Sequence, residues 1–148
     1  MSKIIEIGIS KSKGGIIQSF KSIEAVKGKG LIGDRKFKND NNKKSQLTLI
    51  QIENIEYYNK IAECNIKSLD FRRNIVTRGV DLNALLNKEF FIGKIKVKAH
   101  DLCRPCKYLE NLLNQKIFVK SLMLKAGLRC EILSSGTIYV DDIIKKYD

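Results

Sequence analysis

The chain has 148 residues, of which 43% are hydrophobic and 30% are charged. Domains commonly run to about 100–150 residues, so this length fits one domain. A domain of this size buries enough apolar surface to fold without disulfides. No apolar run approaches the roughly 18–20 residues that would span a bilayer, and the first ten residues do not resemble a signal peptide. We therefore predict a single cytoplasmic domain over residues 1–148, with no membrane partner and with its four cysteines reduced.

The net charge of +12 first suggests a nucleic-acid-binding protein. The positive charge comes from 22 Lys and only 6 Arg, whereas phosphate and base recognition favours arginine. The lysines are also scattered along the chain. We therefore favour a general basic composition over a nucleic-acid face, and an anionic ligand stays open.

The first third of the chain predicts strands joined by turns and one long loop. Residues 3–9 alternate as a strand does, and the Gly-containing turn at 12–15 leads into a second strand region at 16–26. A loop follows over residues 27–45. Its polar run at 38–44 is the segment that we expect to be most mobile.

The middle of the chain alternates between strands and short helices. Residues 47–50 predict a strand, and apolar positions at three-residue steps predict a helix from Gln51 to about Cys64. A strand is predicted at 74–77 and a single helical turn at 82–86.

The last third opens on a hairpin over residues 90–99 that turns at Gly93. Helices are predicted from Pro105 onward and over about 118–126. Residues 128–133 and 138–144 predict a closing hairpin. Few strand pairs are separated by a crossover helix, so we expect a mainly β, barrel-like fold of mostly antiparallel strands with two to three helices, rather than a doubly wound α/β fold.

The sharpest local motif is Cys103-Arg104-Pro105-Cys106. One CxxC and a single His cannot supply four zinc ligands, so no zinc site is expected. A thioredoxin fold needs a cis-proline facing its dithiol, and Pro105 is the chain's only proline. A helix beginning at Pro105 would place Cys106 in its first turn, where free N–H groups and the flanking Arg104 and Lys107 favour the thiolate. We therefore predict that Cys106 is the reactive residue and leave the role of Cys103 open.

Other motifs are weaker. The glycines of residues 28–33 fit G-x-G-x-x-G, but no helix is predicted after them, so neither NAD nor a Rossmann fold is expected. Taken alone, Arg72 and Arg73 predict a solvated strand start. The lone His100 is predicted to be exposed on the lysine-bearing side of its strand.

Taken together, the motifs resemble the MOSC family, the C-terminal domain of molybdenum cofactor sulfurases, in its short bacterial form. Residues 30–35 (GLIGDR) resemble the family's G-L-x-G-D-R loop, residues 71–82 its R-x-N-I segment, and Pro105-Cys106 its P-C pair. The resemblance implies a pyruvate-kinase-barrel-like fold with a pocket for a molybdopterin-type ligand, the molybdenum cofactor. Cys106 would carry sulfur there or ligate molybdenum. The positions implied for binding the cofactor are Gly33, Asp34, Arg35, Arg72, Arg73, Asn74 and Cys103.

The chain departs from the family pattern at two positions. Lys36 stands where members often have His, which puts a proton-transfer role in doubt, and Asp141-Asp142 replaces a closing Gly-Asp.

Three functions stay open from the sequence. The first is a cofactor-binding protein that handles the cofactor's sulfur or its delivery, as a persulfide carrier or sulfurtransferase. The second is a molybdenum-dependent oxidoreductase acting on N-hydroxylated bases or amidoximes. No flavin or iron–sulfur motif is visible, so this enzyme would need a separate electron donor. For the first function, a persulfide would have to arrive from a separate cysteine desulfurase, since no pyridoxal phosphate domain is present, and a molybdoenzyme is a further candidate partner. The third is a basic nucleic-acid-binding barrel.

Overall fold

The computed structural model describes residues 2–105 and 107–146. Within them lie eleven strands, three α-helices and two 3-10 turns. The strands are β1 (Lys3–Ser10), β2 (Ile17–Phe20), β3 (Ser22–Val26), β4 (Gly30–Leu31), β5 (Leu47–Gln51), β6 (Ile75–Arg78), β7 (Glu89–Ile92), β8 (Ile95–Leu102), β9 (Leu128–Ile132), β10 (Gly136–Tyr139) and β11 (Ile144–Lys146). The helices are α1 (Ile52–Ile61), α2 (Lys107–Leu112) and α3 (Phe118–Ser121), and the 3-10 turns cover Ser68–Phe71 and Leu82–Leu85.

Eight strands form one sheet in the order β11-β7-β8-β9-β5-β6-β1-β2. Its pairs are antiparallel except β5 and β6, which run parallel. The start of β1 also bonds to the backbone beside β11. Ile4 N–H donates to the Asp142 carbonyl at 3.0 Å, and Ile144 N–H donates to the Ser2 carbonyl at 2.9 Å. These bonds link β1, the strand next to one end of the order, with β11 at the other end, so the curled sheet meets itself and is barrel-like.

The main core fills the inside of this barrel. In β8, Ile95, Val97 and Ala99 are buried while the intervening lysines reach the surface, as period-two alternation requires. The small sheet β10-β3-β4 adds the buried side chains of Ile23 and Ile138 to the same core. The strands of both sheets therefore share one apolar interior.

The helices cover the outer face of β5 and β6 and form a second apolar cluster. Tyr58 of α1 packs edge-on against Phe71 and Phe118, with ring centroids 6.0 Å and 5.3 Å apart. The Tyr58 hydroxyl donates to Gln115 Oε1 at 2.9 Å, so its buried polar end is satisfied. Leu109 of α2 belongs to this cluster. The cluster therefore fixes α2 against the barrel.

The predicted fold class is confirmed: the chain is mainly β, mostly antiparallel and barrel-like, with three helices in its described part. The predicted closing hairpin is wrong, because β10 pairs with β3 and β11 pairs with β7. The turn after β9 directs the chain away from β9. Ser134 Oγ accepts from Lys96 N–H at 2.9 Å, and Ser135 Oγ accepts from Lys27 N–H at 2.8 Å.

The helix predicted over 118–126 is also shorter than expected and ends at Ser121, before Leu124 takes a left-handed φ of 64°. Among the described helices, none has the length and apolar character needed to cross a membrane.

Candidate functional site

A cleft of about 350 Å³ opens at one end of the barrel. Since β1 is antiparallel to β6 and β5 is parallel to it, the C-terminal end of β1 and the N-terminal ends of β5 and β6 meet there. The loop after β4 and the start of α2 complete the walls. Five of the seven positions predicted to bind a cofactor contribute to this lining: Asp34, Arg35, Arg72, Arg73 and Asn74. Gly33 and Cys103 do not belong to the described lining.

The loop that carries Asp34 and Arg35 is bonded to the last residue of β1. The Arg35 N–H donates to the Ser10 carbonyl at 2.8 Å, and Ser10 N–H donates to Asp34 Oδ1 at 3.1 Å. The second carboxylate oxygen of Asp34 accepts from Lys36 N–H at 3.4 Å. Asp34 therefore shapes the loop through both oxygens, while the Arg35 side chain is exposed at the cleft.

The two adjacent arginines support opposite walls of the cleft. Arg72 Nη1 donates to the Gly15 carbonyl at 2.9 Å and so holds the turn between β1 and β2. Arg73 Nε donates to the Ala126 carbonyl at 2.9 Å. Each guanidinium has five N–H donors, so these contacts leave donors for a ligand. The predicted solvated strand start is wrong, because both arginines are partly buried and bonded.

Asn74 connects three strands beneath the cleft. Its Oδ1 accepts from Thr48 N–H at 3.0 Å and from Thr48 Oγ1 at 3.2 Å, and its Nδ2 donates to the Gly8 carbonyl at 3.2 Å. The backbone N–H of Asn74 donates in turn to Thr48 Oγ1 at 3.0 Å. With its oxygen fully used, Asn74 acts first as a support for the cleft floor.

The segment predicted to be the most mobile is held by a buried side chain. Asn41 is only 8% exposed, and its Nδ2 donates to the carbonyls of Lys29 at 2.8 Å and Lys36 at 2.6 Å. Gln46 Nε2 donates to the Asn41 carbonyl at 3.2 Å, and its Oε1 accepts from Ile132 N–H at 2.8 Å. This network ties the Arg35–Lys36 side of the cleft to the barrel, because Asn41 holds Lys36 directly.

The cleft is strongly cationic. Among the described lining residues, five side chains are positively charged and one carboxylate, on Asp34, is occupied with backbone N–H groups. Partial desolvation lowers the pKa of Lys36 from its ordinary value of 10.5, and the positive charges of Arg35, Arg73 and Arg129 lower it further. An anion bound here would relieve that repulsion. The donor set therefore fits a phosphorylated or otherwise anionic ligand.

Cys103 is buried outside the cleft lining, and its N–H donates to the Gly127 carbonyl at 2.7 Å. Burial raises the pKa of the Cys103 thiol, although Arg73, Arg129 and Lys36 oppose the shift. Cys103 is therefore a neutral thiol near neutral pH. The predicted reactive residue, Cys106, lies outside the described residues. Elsewhere, in residues 2–105 and 107–146, no group of three or more His, Cys, Asp or Glu side chains could hold a metal ion.

Lys13 and Tyr108 are among the cleft residues that the sequence analysis missed. The sequence around Lys13 indicates only a turn of the chain. Tyr108 lies on α2, and a single aromatic residue in a helix has no spacing that indicates a binding site. His100, predicted to be exposed, has a side chain only 19% exposed and pairs with Glu131 through Nε2 and Oε1 at 2.8 Å. Because β9 lies beside β8, this pairing across strands is invisible in the linear sequence.

Fold and cleft together define a class of small, barrel-like β proteins with a cationic cleft at one barrel end. The profile of the MOSC domain family matches residues 33–145, which is more than half of the chain and includes the cleft loop and the β6 entry. The chain belongs to the MOSC domain family. This membership supports a function related to the molybdenum cofactor. Comparison with curated proteins gave no sequence match.

Solved structures share the fold at low sequence identity. The YUAD protein from Bacillus subtilis superposes with a TM-score of 0.85 at 17% identity, covering 100% of this chain and 98% of that one. YiiM from Geobacillus stearothermophilus gives 0.81 at 15% identity, with 100% and 76% covered. YiiM from Escherichia coli gives 0.72 at 16% identity, with 99% and 70% covered. These likenesses establish the fold.

Proposed function

We propose that this protein binds the molybdenum cofactor in the cationic cleft and handles the cofactor's sulfur or its delivery through Cys106. The observation that carries the proposal is the convergence of Arg35, Arg72 and Arg73 on one cleft, in whose described lining the one carboxylate is already bonded. A pterin phosphate is anionic, and arginine forks with backbone N–H groups suit it. The cleft volume falls in the ordinary range for small-molecule sites, about 300–1,000 Å³.

Within this proposal the described residues have separate tasks. Arg35 and Lys36 hold the anionic end of the ligand from the loop after β4, since both are exposed at the cleft. Arg73 adds charge from the β6 side while its Nε stays bonded to the barrel. Asp34 keeps the loop in place. The bound cofactor would supply a metal centre suited to oxygen- or sulfur-atom transfer.

The proposed task of Cys106 is to carry a sulfur atom or to ligate the metal. In sequence it lies two residues before Tyr108, whose side chain lines the cleft. A thiolate is a soft nucleophile and ligand that suits both tasks. The helix after it, α2, has only six residues, so we expect the neighbouring arginines and lysines to favour the thiolate more than the helix dipole does.

The first test is the molybdenum and pterin content of protein purified from cells that make the cofactor. We expect stoichiometric molybdenum and pterin in the wild type and a loss of both in Arg35→Ala. In Cys106→Ser, pterin should stay while molybdenum or transferable sulfur is lost. Lys94→Ala is the matched control, because this exposed lysine has the same charge as Arg35 but lies in the turn before β8, outside the cleft lining. Repeated absence of both from wild-type protein would refute the proposal.

Further assays separate the remaining functions. Reduction of an N-hydroxylated base with a supplied electron donor, lost in Cys106→Ser, would identify an oxidoreductase. Release of sulfur from a persulfide on Cys106 would identify a carrier or sulfurtransferase. Salt-sensitive nucleic-acid binding that survives Cys106→Ser would instead favour the basic barrel.

A further inference from the structure

A contact joins two parts of the cleft lining that are distant in sequence. Tyr108, the second residue of α2, lies against the turn between β1 and β2. A Cβ atom built on Gly14 of that turn would fall 2.6 Å from the Tyr108 hydroxyl oxygen, so the ring end touches the turn backbone. The ammonium of Lys13 lies 6.0 Å from the Tyr108 ring centroid.

The turn that meets Tyr108 is held firmly. Gly15 N–H donates to the Ser12 carbonyl at 3.0 Å, and Ser10 Oγ donates to the same carbonyl at 2.6 Å. Arg72 fixes the turn from the β6 side through the Gly15 carbonyl. Gly14 takes a φ of 72°, which glycine adopts without strain. The position of Lys13 is therefore determined by the barrel.

Tyr108 is not a core residue. It is 51% exposed although it lines the cleft, so its ring is not needed to fill the apolar cluster beneath α2. A separation of 6.0 Å is the outer limit of a cation–π contact, so the attraction between Lys13 and the ring is weak. Lys13 can therefore turn toward an anionic ligand at little cost.

We propose that Tyr108 and Lys13 form a clasp that selects ligands in which a flat heteroaromatic ring is joined to phosphate. The ring stacks on Tyr108, and Lys13 meets the negative charge beside it. This inference rests on the proposed function and adds to it the residues that distinguish a pterin-like ligand from a simple anion. The remaining cationic side chains of the cleft bind the phosphate whether or not a ring is attached.

The test compares two probes that differ mainly in the ring: neopterin triphosphate and inorganic triphosphate. Binding to the full-length protein is measured by isothermal titration calorimetry. Stacking of a base on an aromatic side chain is worth about 1–3 kcal/mol by alanine substitution, so Tyr108→Ala should weaken neopterin triphosphate binding by about tenfold or more. Inorganic triphosphate binding should not change. Tyr108→Phe keeps the ring and should bind both probes as the wild type does.

Two further variants complete the design. Tyr57→Ala is the matched control, because Tyr57 is similarly exposed at 42% but lies on α1, outside the cleft lining. It should leave both affinities unchanged. Gly14→Ala should push the ring aside and lose the preference for neopterin triphosphate. Since Tyr108→Phe removes the oxygen that the new methyl group meets, the double variant should recover part of that preference.

The outcomes separate this inference from the proposed function. Binding of inorganic triphosphate that is lost in Arg35→Ala supports the cationic cleft. If Tyr108→Ala then weakens the binding of both probes equally, or of neither, the clasp is refuted while the cationic cleft stands. If neither probe binds the wild-type protein, both proposals fail. A urea midpoint that is unchanged in Tyr108→Ala shows that the variant is folded.

Discussion

Asn41 provides a sharp test of how the cleft is held together. Its Nδ2 donates to two carbonyls, at 2.8 Å and 2.6 Å, from a position that is 8% exposed. Asn41→Ala removes both bonds and leaves two carbonyl oxygens without this donor. With a net contribution of about 0.5–1.5 kcal/mol for each hydrogen bond, and a desolvation penalty in addition, we expect a loss of about 2–3 kcal/mol in the free energy of unfolding.

The assay is urea unfolding followed by circular dichroism, since the chain contains no Trp. Asn42→Ala is the matched control. Asn42 is the next residue and is exposed, and its side chain only accepts from Lys44 N–H at 2.8 Å. We expect this control to lose less than about 1 kcal/mol. Asn41→Asp keeps the side-chain shape but replaces the donor with a carboxylate oxygen facing two carbonyls.

We expect Asn41→Asp to be less stable than Asn41→Ala at neutral pH and to recover as the pH falls, because protonation restores a donor. Both variants should also bind inorganic triphosphate more weakly, since Asn41 holds the backbone of Lys36 at the cleft. Equal losses in Asn41→Ala and Asn42→Ala would refute the view that Asn41 holds this loop.

Three further variants test other parts of the structure. Gly127→Ala should prevent stable folding, because the new Cβ would collide with the Leu49 carbonyl. Gly28→Ala has open space around it and should cost only about 1 kcal/mol of backbone strain. Soluble yield and urea midpoints compare the two variants, and equal effects would contradict the close contact between Gly127 and Leu49. The pKa of Lys36 is lowered in the folded state, so stability should rise as the pH increases from that lowered pKa toward 10.5. Urea midpoints measured across the alkaline range should show this rise in the wild type and a flatter curve in Lys36→Met. If the Lys36→Met curve runs parallel to the wild-type curve, Lys36 is not the cause of the rise. Asn74→Ala removes the amide that links β5 to β1 and should lower the free energy of unfolding by about 1–3 kcal/mol in the same assay. An unchanged midpoint would show that the backbone hydrogen bonds between the strands hold this region without the Asn74 side chain.

The sequence predicted those parts of the fold that rest on local periodicity. The alternation of Ile95, Val97 and Ala99 with lysines identifies β8 because one face of that strand is buried and the other is solvated. The three-residue spacing of Ile55 and Tyr58 identifies α1 for the same kind of reason.

Features that depend on contacts between distant segments leave no such pattern. Asn41 sits in a polar run that resembles a mobile loop, and only the fold brings the Lys29 and Lys36 carbonyls to its amide. The pairing of β10 with β3 is likewise accompanied by contacts between distant segments, because Ser135 Oγ accepts from Lys27 N–H beside β3 and Ser134 Oγ accepts from Lys96 N–H in β8.

The candidate site was found in outline through the family motifs. These contain the arginines that line the cleft, but they do not contain Lys13 or Tyr108, whose contact joins a turn to a helix. Arg72 and Asn74 also proved to support the backbone as well as to line the cleft. The prediction for Cys106 stays a prediction, because that residue lies outside the described part of the chain.

The bonds that join residues 2–4 to residues 141–144 also bear on how the protein is made. During synthesis on the ribosome residues 141–144 emerge only after β1–β10, so this part of the barrel remains open until then. Pairing over such a sequence separation is slow compared with helix or hairpin formation. The edge of β1 at residues 2–4, beyond the stretch that β2 covers, is meanwhile unpaired and available to other chains. The step that completes the barrel is therefore also the step that ends this exposure.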